Sequence, residues 1–207
     1  MTSTPIRLLL ADDQALVRGA LAALLDLESD LTVVAQVGRG DEVLHAARET
    51  AADVALLDVE MPGMDGISAA AELRARYPAC RSLIVTTFGR PGYVRHALDA
   101  GASGFVVKDT PAEQLADAVR RVHRGLRVVD PDLAVESLTV GANPLTERER
   151  AVLVVAATGG TVADIARETF LSEGTVRNYL SAAMGKTGGR TRAEAARLAQ
   201  ENGWLLG

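Results

Sequence analysis

The sequence predicts a doubly wound parallel α/β sheet of (βα)5 type, followed by a second, smaller all-α unit. Three observations carry this reading. Five short apolar runs alternate with five stretches of helical periodicity over residues 1–127, strand signals stop after Arg127, and turn-forming residues separate the two regions. A chain of 207 residues with 48% hydrophobic content is long enough to bury two small cores.

Ile6-Arg7-Leu8-Leu9-Leu10 reads as a buried strand, and Ala15 to Leu27 follows with helical spacing at Leu16, Ala20, Leu21, Leu24 and Leu25. Thr32 to Val37, Val54 to Leu57, Ser82 to Thr86 and Gly104 to Val107 repeat the strand pattern. Helical stretches near 41–50, 66–76, 92–99 and 112–124 fill the intervals. Such nearly continuous apolar strands lie in parallel sheets covered on both faces. Right-handed crossovers then bring the strand ends to one edge, where open α/β sheets place their chemistry. Asp130-Pro131-Asp132 and Gly141-Ala142-Asn143-Pro144 mark residues 128–143 as a linker. Residues 144–207 read as four short helices. Thr146 with Glu149, Thr161 with Asp164, Ser172 and Thr191 stand at their N-terminal caps.

Composition narrows the class. A single cysteine, Cys80, forms no internal bridge, and no basic-then-apolar leader opens the chain, so a reducing cytoplasm is the expected compartment. No apolar run approaches the roughly 20 residues that span a bilayer, so no membrane span is expected. The net charge of −5 taken whole argues against nucleic acid. Split at residue 144, however, the first part carries 14 basic against 20 acidic side chains and the tail 8 against 7. The acidity therefore belongs to the α/β part. Only two basic residues are lysines, Lys108 and Lys186.

Asp12 and Asp13 follow the first strand, Asp58 follows the third, Thr86 ends the fourth and Lys108 ends the fifth, so all five converge on one sheet edge. Any one of Asp12, Asp13 and Asp58 taken alone is better read as a cap of the following helix. Together they form a cluster of like charges whose simplest neutraliser is a hard divalent cation such as Mg²⁺. A lysine reaching across that edge can pair with a carboxylate or a transferred phosphoryl group.

At these residues the sequence resembles the receiver domain of two-component response regulators, over about residues 5–127. Leu57-Asp58-Val59-Glu60-Met61-Pro62-Gly63-Met64-Asp65-Gly66 matches the phosphoacceptor strand and loop, and Gly101-Ala102-Ser103-Gly104-Phe105-Val106-Val107-Lys108 matches the segment ending in the signature lysine. The resemblance implies that Asp58 is phosphorylated from a sensor histidine kinase. It also implies that Asp13, Asp58 and the Glu60 carbonyl ligate Mg²⁺, with Asp12 on a metal-bound water. Thr86 would then bind the aspartyl phosphate, and its movement would let Phe105 turn inward.

The tail, from about 144 to 202, resembles the LuxR-type helix-turn-helix of NarL/FixJ-class regulators. The matching residues are Leu145-Thr146-Glu147-Arg148-Glu149-Arg150-Ala151-Val152-Leu153, Gly159, Ile165-Ala166 and Leu171-Ser172-Glu173-Gly174-Thr175-Val176-Arg177-Asn178-Tyr179. With Ser172 as cap, Val176 and Leu180 face inward, while Glu173, Arg177, Asn178 and Ser181 face outward toward a major groove. Arg177 and Asn178 suit guanine and adenine, and Thr175 and Lys186 suit phosphate. An exposed Glu173–Arg177 pair on a solvated helix face is the plainer alternative. The chain departs from the family pattern at Val162, Tyr179, Thr187 and Gly189, and the last two predict a looser junction between the recognition helix and the final helix. The resemblance implies a transcription factor that binds a double-stranded DNA operator and forms a homodimer on phosphorylation. The resemblance also implies no enzymatic activity beyond the receiver's catalysis of its own Mg²⁺-dependent phosphorylation.

Two other classes fit less well. A haloacid-dehalogenase-like phosphohydrolase needs its nucleophilic aspartate after the first strand, and Asp58-Val59-Glu60 follows the third. Gly38-Arg39-Gly40 lacks the third glycine of a dinucleotide fingerprint. His45, His96 and His123 lie away from the acidic edge and disfavour a histidine-based hydrolase.

Overall fold

The computed structural model describes residues 4–87, 91–130, 133–135 and 143–205. Pro131, Asp132, Gly141 and Ala142 of the expected linker lie outside these described residues. The chain divides into two compact units, the first within residues 1–89 and 94–134, the second within 135–207 together with 90–93.

In the first unit the strands are β1 (Ile6–Ala11), β2 (Leu31–Val37), β3 (Val54–Leu57), β4 (Arg81–Thr86), β5 (Gly104–Val107) and β6 (Val128–Val129). They form one parallel sheet in the order β2-β1-β3-β4-β5-β6. The helices are α1 (Ala15–Leu25), α2 (Val43–Glu49), α3 (Gly66–Arg76), α4 (Pro91–Asp99) and α5 (Ala112–His123), and a 3-10 turn at Gly40–Glu42 precedes α2. The order reverses at β1 and β3, so the carboxyl ends of these two strands flank the crevice where such sheets hold ligands. The alternation expected from sequence is therefore present.

One boundary is corrected. Val128 and Val129, expected in the linker, add a sixth strand beside β5, pairing Gly104 with Val128 and Phe105 with Val129. The Val128 N–H donates to the Ser103 carbonyl at 3.0 Å and starts the ladder. Two residues are too few to show a strand period, so this pairing leaves no pattern in the sequence.

The core of this unit packs Leu8 and Leu10 of β1, Val54 and Leu56 of β3, and Leu83 and Val85 of β4 against Leu115, Val119 and Val122 of α5. Leu115, Val119 and Val122 recur at helical spacing on one face, while Arg120 and Arg121 fall off it. Arg120 pairs with Glu28 and Asp30 at 2.7 Å each, fastening α5 to the turn before β2.

The second unit contains α6 (Glu147–Ala157), α7 (Val162–Thr169), α8 (Glu173–Thr187) and α9 (Arg192–Glu201). Each starts at the cap residue read from sequence. Thr146 and Thr161 form capping boxes with Glu149 and Asp164, Ser172 accepts from the Thr175 N–H at 3.1 Å, and Thr191 accepts from the Glu194 N–H at 3.1 Å. Val152, Leu153, Ile165, Val176, Leu180 and Ala195 bury the shared core.

The junction between α8 and α9 corrects the expectation of looseness. Gly189 is buried, and a Cβ there would lie 2.5–2.9 Å from the backbone and Cβ of Ala195. The absent side chain is what lets the turn close onto α9. Thr187 turns its hydroxyl back to the Ala183 carbonyl at 2.8 Å, so its polarity is satisfied within α8.

Candidate functional site

The carboxyl ends of β1, β3 and β5 bring Asp12, Asp13, Asp58 and Lys108 together. Parallel pairing sets this alignment: Ala11 lies beside Leu57, so the residues that follow each strand emerge side by side. Asp12, Asp13 and Asp58 each offer a carboxylate oxygen within 4.8 Å of the others. Asp12 and Asp58 are buried and Asp13 is exposed at the mouth.

The lysine ammonium sits between the buried pair, 2.7 Å from Asp12 Oδ2 and 2.8 Å from Asp58 Oδ2. The other oxygens are held by backbone donors. Asp12 Oδ1 accepts the Gln14 N–H at 2.9 Å, and Asp58 Oδ1 accepts the Val59 N–H at 2.8 Å. The Asp12 main chain is held in turn, since its carbonyl accepts from the Arg18 guanidinium.

Burial pushes the Asp58 carboxyl above its ordinary range, with Asp12 adding to the rise and Lys108 and the Val59 N–H opposing it. For Lys108, burial works against the charged form, but Asp12 and Asp58 outweigh it and hold the ammonium above its ordinary value. Three carboxylates with one lysine leave the edge short of positive charge, and the ligand atoms are hard oxygens at cation-binding separation. That donor set fits a divalent ion such as Mg²⁺.

Thr86 is buried at the end of β4, and its carbonyl accepts the Lys108 N–H at 2.7 Å. Glu60 is exposed, two residues beyond Asp58. Asp65 caps α3, accepting from the Ile67 and Ser68 N–H groups at 2.9 Å, and so fixes the loop after β3. Phe105 differs from the expectation. It is 0% exposed, so there is no outward ring waiting to turn in. A central position on β5, flanked by β4 and β6, encloses it.

On the second unit, α8 buries Val176 and Leu180 and exposes Glu173, Arg177, Asn178 and Ser181. Arg177 pairs with Glu173 at 2.6 Å, both side chains at least half exposed. Thr175 shares a hydrogen bond with the Ser172 hydroxyl at 2.8 Å. Lys186 is exposed as well, but its ammonium lies 2.7 Å from Oε2 of the buried Glu149. Burial raises the Glu149 carboxyl, but Lys186 and the Thr146 donors outweigh it and hold the group below the ordinary glutamate value. Sequence reasoning missed both the Arg18 tether and the Glu149–Lys186 pair. Arg18 reaches a main-chain carbonyl six residues back, which no residue type marks, and the Glu149–Lys186 partners lie 37 residues apart, which leaves no local signal.

Residues 8–120 match the family model for the response regulator receiver domain, and residues 143–199 match that for bacterial regulatory proteins of the luxR family. The chain belongs to the LuxR-class response regulators. Two curated relatives from Bacillus subtilis align over nearly the whole length. This response regulator is 45% identical to the transcriptional regulatory protein YvfU, over 97% of its own length and all of YvfU. It is 42% identical to the transcriptional regulatory protein DesR, over 97% and 99% of the two chains. Among solved structures, it matches the response regulator ChrA of a heme-sensing two-component system at 31% identity and a TM-score of 0.59, covering 98% of this chain and all of ChrA. The protein is thus a transcriptional response regulator with a DNA-binding output. Among the described residues, no helix is long and apolar enough to cross a membrane.

Proposed function

We propose that this response regulator accepts a phosphoryl group on Asp58 from a sensor histidine kinase, and that the acyl phosphate promotes dimerisation and operator binding by the LuxR-type tail. The convergence of Asp58, Asp12, Asp13 and Lys108 on one sheet edge carries the reading. An Asp58 oxygen attacks phosphorus in line with the P–N bond to the kinase imidazole. As the new O–P bond forms, the P–N bond breaks and its electron pair returns to the ring nitrogen.

Asp13, Asp58 and the main-chain carbonyl of Glu60 would hold Mg²⁺, with Asp12 beside them. That ion would supply charge neutralisation for the incoming phosphoryl oxygens. Lys108 moves from a carboxylate to a phosphoryl oxygen with little reorganisation, because its ammonium already stands between Asp12 and Asp58. Thr86 donates its hydroxyl to the acyl phosphate, and the switch is read through β4 and β5 around a Phe105 that is already buried.

Dimerisation has a candidate surface in the receiver. Leu16, Gly19, Ala20, Ala23, Leu24 and Leu27 are all exposed, and their spacing lays an uncharged stripe along α1 and past its end. In the tail, Arg177 and Asn178 read base edges and Thr175 and Ser181 lie against the backbone of the groove. Opening the solvent-exposed Arg177–Glu173 pair costs only about 0.3–0.5 kcal/mol, so it does not block this. This reading places the protein in the cytoplasm with its DNA.

Incubating the full chain with Mg²⁺ and acetyl phosphate should yield a single phosphoryl adduct by mass, absent in Asp58→Ala. Rapid multiple turnover of the phosphodonor with no adduct would point instead to a hydrolase.

A further inference from the structure

We propose that Lys186 is a positioning residue of the DNA-reading face, clamping the last turn of α8 onto the first turn of α6 through Glu149 rather than contacting a DNA phosphate. The inference rests on the tail binding DNA as proposed above.

Glu149 is 5% exposed, yet it is charged and fully engaged on one oxygen: Oε2 accepts the Thr146 N–H at 2.7 Å and faces the Lys186 ammonium at 2.7 Å. Its own N–H donates to Thr146 Oγ1 at 3.3 Å, closing the capping box. Glu149 therefore stands at the positive end of α6. Lys186 stands at the negative end of α8. Each charge is favoured by the dipole of its own helix as well as by the other, so the pair joins two helix ends that attract independently.

Burial separates this pair from the other ion pair on α8. The Arg177–Glu173 side chains are 61% and 50% exposed, whereas those of Lys186 and Glu149 are 36% and 7% exposed. The first pair can part in water and free Arg177 for a base. Parting the second strands a buried carboxylate, which is strongly unfavourable. The ammonium is thus committed to the fold. Lys186 lies five to nine residues beyond Ser181, Asn178 and Arg177 on one continuous helix. Releasing its end from α6 tilts the row of base-reading side chains without removing any of them.

A phosphate contact and a clamp differ in their salt dependence. Each phosphate neutralised adds about 0.9 to the slope of log affinity against log salt. The experiment selects a duplex from a random pool with the wild-type full chain treated with Mg²⁺ and acetyl phosphate, then measures the affinity of identically treated proteins for that duplex and for a scrambled one across salt. Measurements are made at a temperature where every variant is fully folded. For Lys186→Met the clamp predicts a loss of about tenfold on the selected duplex, within what one base-reading pair supplies. Affinity for the scrambled duplex and the salt slope should stay the same, and Lys186→Arg should restore specific binding. A slope lower by about 1, with both duplexes weakened alike, would make Lys186 a phosphate contact. Unchanged specific affinity in folded Lys186→Met would reduce its role to stability. Either result overturns the proposal.

Thermal unfolding without DNA tests the clamp separately. Lys186→Met should lower the Tm of the tail, and adding Glu149→Gln should recover most of the loss, because glutamine keeps the capping box without the stranded charge. If the wild-type chain selects no duplex, the DNA-binding reading fails while this unfolding cycle still decides whether the clamp exists. Additive Tm changes in the cycle would show that it does not.

Discussion

Gly66→Ala should destabilise the receiver by about 3 kcal/mol, at the upper end of overpacking effects, and abolish phosphoryl uptake at Asp58. A Cβ on Gly66 would stand 1.9 Å from the Asp58 carbonyl oxygen and 2.8 Å from its carbonyl carbon. Both are backbone atoms, so no side-chain rotation relieves the clash. The turn is also pinned from within, since the Gly66 N–H donates to the Val59 carbonyl at 3.0 Å and Asp65 caps α3. The only escape is to move the segment that carries Asp58. Gly19→Ala provides the control. A Cβ there meets nothing within 4 Å, and an alanine in an exposed helix interior should stabilise the protein by about 0.5–1 kcal/mol. Denaturant unfolding of the full chain, together with the mass of the acetyl phosphate product, checks both. Wild-type stability and a normal adduct in Gly66→Ala would show that the Asp58 loop is not held as described.

Lys108→Met should slow phosphoryl uptake by about a hundredfold or more, the usual consequence of removing a positioned cation from developing negative charge. It should also make receiver stability depend on Mg²⁺. Without the ammonium, Asp12 and Asp58 share a buried site with no cation beside them, at a cost of up to about 3 kcal/mol. A divalent ion bound by the folded state alone would recover part of that loss by mass action. Unfolding in EDTA and in millimolar Mg²⁺ reads the effect directly. The variant should gain more from the ion than the wild type does. An equal gain in both proteins would mean that the lysine and the ion do not share the same carboxylates.

These consequences follow from a site that was legible in the sequence because its members terminate strands. Asp12, Asp13, Asp58, Thr86 and Lys108 occupy the same place relative to their apolar runs, and parallel pairing turns that sequential regularity into spatial convergence. The caps of the tail helices were legible for a similar reason, as Thr146, Thr161, Ser172 and Thr191 act within three residues of themselves. What sequence did not reveal depends on distant partners or on missing atoms. The β6 strand exists only because β5 offers an edge. Lys186 suited a DNA phosphate by sequence, and its pairing with Glu149 needed the fold to become visible, while Gly189 looked like a weakness until Ala195 filled its place. For Phe105 the resemblance implied a ring that turns inward, whereas the ring is already buried on a strand that β6 flanks.

The central claim is that the state of Asp58 governs DNA binding by the tail. Its most direct test is the affinity of the full chain for a duplex selected by the phosphorylated protein, measured before and after treatment with Mg²⁺ and acetyl phosphate. Wild type and Asp58→Asn are compared at one salt concentration. Affinity should rise on treatment in the wild type, together with a shift from monomer to dimer, and should not change in Asp58→Asn. A stoichiometric adduct with no change in affinity, or an equal rise in both proteins, would contradict the account.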